Sequence, residues 1–483
     1  MNGNKNPQIN TEDHRSGCRN KGAGRLFLHR LCSIRAYNLC KSVLICGFLL
    51  FPVVRCGAQV GEEGVRRVVL PNGVRLLLKP EADTEVVAMV AFVRMEADAT
   101  ALDNATGELV AHALFYGSLN RSMDRVARSV AQVGGALETL RTRDYIAITC
   151  VTVREQLDEA IYLLCEALKN ADFAPDALER ARQDIQEERR KRAEDAFETA
   201  YAAVRERLSA PPEPDDSALR RVTQARAQDY FARRYLPART VIAVVGRFRQ
   251  DAAQHAFDNA LFDYARRAVN SPGALSEVKK PDAAPPALVL QTGGNAAYAL
   301  IGTPAPGVAS PDYPAFTVLH ALLGGGHAAR LFRRLREAQG LGYDVGATYA
   351  ADRSDPLVAY LQWDARRALP ALNAKAAPQP ADALKLLQTQ LDALWTDPPT
   401  DAELTRARNY AIGRDALRHE RARDRAFFLG WYETMGLGYA FDAELPRRLA
   451  AVTRDDILRA AKTYLTPRAA VLALPKRAES AGE

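Results

Sequence analysis

A segment that begins at Val222, VTQARAQDYFARRYLPARTVIAVVG, returns at Val452 as VTRDDILRAAKTYLTPRAAVLALP. Val-Thr opens both copies, Tyr-Leu recurs at Tyr235-Leu236 and Tyr464-Leu465, and a proline follows at Pro237 and Pro467. The second copy is one residue shorter in its helical part and regains that residue at Thr466. Each copy predicts a Thr-capped amphipathic helix, a proline-marked turn and a buried strand. A period of about 230 residues is too long for a solenoid, whose units run roughly 20–50 residues. It calls instead for two homologous domains of about 200 residues, each large enough to bury its own core.

Between the copies, NSPGALSEVKKPDAAPPA (residues 270–287) is rich in Pro, Gly, Ser and Ala and lacks periodicity, which predicts a linker over 268–287. The domains on either side are expected at 61–267 and 288–480. Both run alike, with strands first, then long helices, then a closing strand. The first has strands at RRVVLPNGVRLLLKP, with a turn at Asn72-Gly73, and at EVVAMVAFVRM, then helices near 107–133 and 155–210. The second has a strand at ALVLQTG, a helix at YPAFTVLHALLG, a strand at GYDVGATYAAD and long helices over about 380–435. The fold class that follows is α+β, two homologous sandwich domains, each a mixed, mostly antiparallel sheet covered by helices on one face.

Charge narrows the function. Residues 1–58 carry nine Lys or Arg against Glu12 and Asp13, which accounts for the whole net charge of +7. The remaining chain is neutral, so nothing electrostatic points to nucleic acid. The apolar run SVLICGFLLFPVV (residues 42–54) follows the basic segment; it is shorter than the roughly 20 residues a membrane span needs. Basic flank, short apolar core and CGA before Gln59 predict a secretory leader over 1–58 and an exported, periplasmic or extracellular protein, with no membrane span in the mature chain. The alternative is a membrane anchor, through an uncleaved leader or a lipidated Cys56, although Arg55 fits a lipoprotein signal poorly. Five of the seven cysteines fall in this leader. Cys150 and Cys165 remain, and both sit in apolar patterns that suit buried small side chains better than a disulfide framework.

The stretch GELVAHALFYGS (residues 107–118) has the outline of a helical metal motif without its donors. Outside the leader the histidines are His112, His255, His320, His327 and His419, and none has another three or four residues away. His320 and His327 are separated by Gly324-Gly325-Gly326, which ends a helix between them. No nucleophile elbow, phosphate loop or Cys/His cluster is present.

The chain resembles the pitrilysin/insulinase-type zinc metallopeptidases of the two-domain kind. The resemblance runs over about residues 66–475 and is carried by LPNG at Leu70–Gly73, HALFYGS at His112–Ser118, and above all LLGGGHAARLFRRLREAQGLGY at Leu322–Tyr343. In that family two histidines at i and i+4 on one helix face hold zinc, a glutamate between them handles the proton of zinc-bound water, and a carboxylate from a later helix completes the set. With His112 as the second histidine, the first falls at Glu108 and the catalytic glutamate at Ala111. The third ligand falls at Glu187 or Glu188, inside a helix face so charged that glutamate there is expected anyway. His112 itself reads better as a packed helix histidine than as a ligand. The family's substrate strand reads GGALETLR here, with Glu138 and Arg141 in place of Asn and Thr.

The resemblance also maps the family's substrate-positioning pair to Arg336 and Tyr343. A solvated helix arginine and a packed strand tyrosine are the bland reading of the same residues. The expectation is therefore no catalytic residue and no metal in this chain, with Glu108, His112 and Glu188 as remnant positions. Zinc is expected only in a partner, a homologous zinc-bearing peptidase subunit to which this chain supplies Arg336 and Tyr343 for peptide substrates. The alternatives are a structural homologue with no proteolytic role and, more weakly, an active enzyme with an atypical ligand set.

Overall fold

The computed structural model describes residues 64–476 apart from 97, 99, 209–212, 265–282, 352–354 and 366–379. The expected leader and residues 268–282 of the expected linker lie outside the described residues.

The first half holds β1 (Arg66–Val69), β2 (Arg75–Pro80), β3 (Val86–Arg94), β4 (Leu137–Arg141), β5 (Tyr145–Val153) and β6 (Thr240–Gly246). Its helices are α1 (Ala101–Ala113), α2 (Met123–Gln132), α3 (Leu157–Lys169), α4 (Pro175–Glu194), α5 (Ala196–Leu208), α6 (Asp216–Arg220), α7 (Gln224–Arg234) and α8 (Gln250–Ala260). The second half holds β7 (Leu288–Thr292), β8 (Ala296–Thr303), β9 (Asp344–Thr348), β10 (Leu357–Asp364) and β11 (Ala469–Pro475). Its helices are α9 (Tyr313–Gly324), α10 (Pro380–Thr396), α11 (Asp401–Arg418), α12 (Ala422–Thr434), α13 (Phe441–Ala451) and α14 (Arg454–Tyr464).

The duplication is visible in the pairing. One sheet has the order β1-β2-β6-β3-β5-β4 and the other β7-β11-β8-β10-β9. Past the β1–β2 hairpin the two agree strand for strand. β2 and β6 pair parallel, as do β7 and β11, and every later pair is antiparallel. The repeated segments form α7–β6 and α14–β11. Thr223 and Thr453 cap their helices, accepting from the backbone N–H of Arg226 and Asp456, each satisfying one of the N–H groups a helix start leaves orphaned. Edge strand β4 of the first sheet thus corresponds to edge strand β9 of the second.

Each sheet carries helices of its own half on one face. The other face is closed by a single helix from the opposite half. Ala200, Val204 and Leu208 of α5, spaced four apart, are fully buried against Leu300, Val358, Val471 and Ala473 of the second sheet. Phe197 of α5 adds ring contacts to Tyr298 (5.6 Å) and Tyr360 (5.3 Å). Reciprocally, α12 lies on the first sheet, where Phe427 meets Phe92 at 5.2 Å between centroids. Gly430 allows the close approach, since a Cβ there would sit 2.6 Å from the Phe92 ring. Ion pairs flank the exchange: Arg67 with Glu433 (3.0 Å), Arg425 with Glu81 (2.6 Å) and Arg205 with Asp355 (2.6 Å). Each large apolar side chain so buried contributes roughly 1.5–3 kcal/mol, so both exchanged helices stabilise the contact between the halves. Cys150 and Cys165 are free and buried, and burial pushes the Cys150 thiol up to about 12.

Candidate functional site

Helix α1 begins at Thr100, whose side chain accepts from the Asp103 N–H at 3.0 Å. Leu109, Val110 and Ala113 are buried on it, and α4 lies alongside with Leu178, Ala181 and Ile185 buried. This packing sets Glu108 and His112, one turn apart, toward the C-terminal half of α4. There His112 Nε2 lies 3.9 Å from Glu188 Oε2. Of the two glutamates the sequence left open, Glu188 is the one that faces α1; Glu187 pairs with Arg190 and Lys191 on its own exposed helix face.

Glu108 has a different neighbour. Arg189 Nη2 donates to both of its oxygens, at 3.2 Å each. Burial pushes the Glu108 carboxyl above its usual range, against the opposing pull of Arg189 and Arg141. The residues do not fit zinc. One imidazole is present, the carboxylate that would replace the second is held by a guanidinium, and Ala111, 3 % exposed, offers no proton acceptor. Among the described residues no three His, Cys, Asp or Glu side chains gather as a metal site.

The edge strand next to this site is also built over. β4 alternates, with Leu137 packed toward the α1 side and Leu140 toward the α12 side. Arg141 follows Leu137 and donates to Asp98 (2.6 Å) and Asn104 (2.9 Å) beside α1. Glu138 follows Leu140 and meets Arg423 of α12 at 3.1 Å. The two charged substitutions in the strand thus anchor it to opposite neighbours.

The long second signature folds around edge strand β9. α9 ends at Gly324, where a Cβ would lie 2.1 Å from the Ala347 backbone N, so only glycine lets the helix end rest on β9. His320 is half-buried and donates from Nε2 to the Ala347 carbonyl at 2.9 Å, and removal of its ring from solvent lowers its pKa to about 4. His327, past the glycines, stacks on Phe332 instead, 4.5 Å away. Residues 332–337 form a π-helical turn, a form often found at functional sites. From it Arg336 Nη1 donates to the carbonyls of Gly342 (2.7 Å) and Tyr343 (2.5 Å). Tyr343 donates its backbone N–H to Gln362 at 2.7 Å, which places it directly before β9, while its side chain is 76 % exposed. Arg336 therefore braces the turn that carries Tyr343.

Sequence reasoning passed over Arg330 in the same signature. It is 3 % exposed and makes two bonds to Glu403, at 2.9 and 2.8 Å, and two to the carbonyls of Asp397 and Pro398. Its signal was present, an arginine among the apolar residues of AARLF. The Arg330 guanidinium lowers the Glu403 carboxyl from its usual 4.5 to about 2. A carboxyl depressed on folding stabilises above its unfolded pKa, and that contribution is lost as pH falls through the folded value. Urea unfolding should therefore show wild type losing more stability than Glu403→Gln between about pH 4.5 and 2. Parallel acid limbs would mean that the pair contributes nothing pH-dependent.

Residues 101–211 match the family described as insulinase (peptidase family M16), and residues 221–410 match the peptidase M16 inactive domain. An uncharacterized zinc protease of Streptomyces coelicolor is 26% identical over 440 residues, covering 84% of this chain and 89% of its own. Subunit 1 of the mitochondrial cytochrome b-c1 complex of Rattus norvegicus is 24% identical over 270 residues, 53% of this chain and 54% of its own. Among solved structures, a peptidase M16 inactive domain from Pseudomonas fluorescens superposes with a TM-score of 0.74 at 17% identity, covering 87% of this chain and 100% of that one.

Proposed function

Since the chain belongs to the insulinase (M16) peptidase family, we propose that it is a non-catalytic subunit of an exported heteromeric zinc peptidase. The partner brings metal and general base, and this chain brings Arg336 and Tyr343 to peptide substrates. The observation that carries this reading is an asymmetry. At the α1–α4 site the base position is Ala111 and Glu108 is bound to Arg189. At the corresponding edge of the other sheet, Tyr343 stands exposed on a turn braced by Arg336. An exposed phenol beside an open strand edge suits a peptide lying extended along that edge. A hydroxyl there is placed to donate to a substrate carbonyl as charge develops on it.

Similarity to a cytochrome b-c1 subunit favours a second reading, a scaffold homologue with no part in proteolysis. Co-purification separates the two. We expect the protein recovered from its native host to carry a homologous chain with an intact His-x-x-Glu-His motif. Alone, this chain should leave unstructured peptides uncut; with that partner, it should yield chelator-sensitive cleavage. Chelator-sensitive cleavage by this chain alone would refute the proposal. Recovery with partners that all lack the motif would favour the scaffold.

A further inference from the structure

We propose that Arg189 is a built-in cation that takes the place of a metal ion between α1 and α4, tying α1 and the α6 region to α4 and keeping divalent ions out. Arg189 faces three carboxylates from two separate segments, α1 and the stretch that enters α6. Nη2 bonds both oxygens of Glu108 at 3.2 Å, Nη1 lies 3.3 Å from Asp216 at the start of α6, and Nε lies 3.8 Å from Glu213. It differs in this from Arg190 and Lys191, the next two residues on α4, whereas Arg182 and Arg192 also reach off the helix, to the Leu219 and Val222 carbonyls and to Glu213. Arg190 and Lys191 pair with Glu187 within the helix. Those are exposed pairs of the kind any charged helix makes, each contributing little. Every partner of Arg189 is distant in sequence, and both it and Glu108 are about four-fifths buried.

The chemistry supports replacement over simple loss. A carboxylate left alone between packed helices would be costly, and His112 and Glu188 lie one turn further along. Guanidinium is always charged and presents donors in a fixed fork that matches carboxylates. A divalent ion bound to Glu108 would need an oxygen at about 2.0–2.2 Å, which the like charge of Arg189 on the same oxygens opposes. The inference concerns this half alone and does not depend on the proposed subunit role.

Thermal unfolding tests it. Wild-type Tm should be unchanged by excess chelator and by micromolar zinc sulfate. Arg189→Met keeps the aliphatic stem and removes the charge; its Tm should fall by about 2–5 °C. Zinc should then recover part of that loss, and adding His112→Ala should abolish the recovery. Zinc that raises the wild-type Tm, an Arg189→Met variant as stable as wild type, or a destabilised variant indifferent to zinc would each overturn the proposal. Should Arg189→Met fail to fold, Glu108→Gln combined with it decides. A double variant that folds and is less destabilised than the single one supports the pairing, and one that also fails overturns it.

Discussion

Replacing Arg330 with Met should destabilise the protein by about 3–5 kcal/mol, the range for removing one partner of a buried ion pair. Arg330 is 3 % exposed and its guanidinium satisfies two carboxylate oxygens and two backbone carbonyls at the junction of α10 and α11. Met fills much of the same volume, so little of the loss would come from a cavity. What remains is the Glu403 carboxylate with one strong partner gone. It keeps the Thr400 N–H at 2.9 Å through the cap of α11, which places the expected cost toward the lower end. Arg330→Lys should recover only part, because a point charge cannot reproduce the fork that holds Glu403 twice. Urea unfolding at neutral pH measures both variants. A change under about 1 kcal/mol for Met would mean that water replaces the guanidinium at little cost, as at surface pairs.

The same arginine marks how far the sequence could be read. The repeat at Val222 and Val452 announced the duplication because its signals are local: a Thr cap, an apolar helix stripe, a proline and a strand. The repeat called for two like sheets but not for their strand order, which depends on pairings between segments far apart in sequence. The exchange of α5 and α12 was not legible. Ala200, Val204 and Leu208 declare a buried stripe, but helical periodicity carries no information on which sheet will cover it. At the α1–α4 site, the absence of a base at Ala111 and of a histidine at 108 was plain from residue identity alone. The occupant was hidden, because the two glutamates of QEERRKR are equally local to all four of its basic residues. Only the packing of α4 against α1 sends Arg189 across to Glu108 while Arg190 stays on its own helix. In the second signature, spacing could align Arg336 and Tyr343 but could not show that one braces the turn on which the other stands. Nor could it distinguish a buried Arg330 from the exposed Arg333 three residues on.

That bracing makes Tyr343 the sharper probe of function. Tyr343→Phe should reduce turnover of the assembled peptidase by about 10²–10³, the usual effect of deleting one donor aimed at a developing oxyanion. The fold should not register the change. The side chain is 76 % exposed, its backbone N–H is held by Gln362, and the ring lies over the Arg336 guanidinium at 5.4 Å, a contact that Phe retains. Tyr410→Phe, a half-exposed tyrosine on α11, serves as the control and should leave turnover unchanged. Arg336→Ala should behave differently. It removes the two bonds to the Gly342 and Tyr343 carbonyls and frees the turn, so substrate binding should weaken along with kcat, whereas Tyr343→Phe should act on kcat with KM nearly constant. If both variants assemble and turn over like wild type, the turn is a structural edge of the second sheet, and the kinship with a respiratory-complex subunit becomes the better guide to what this chain does.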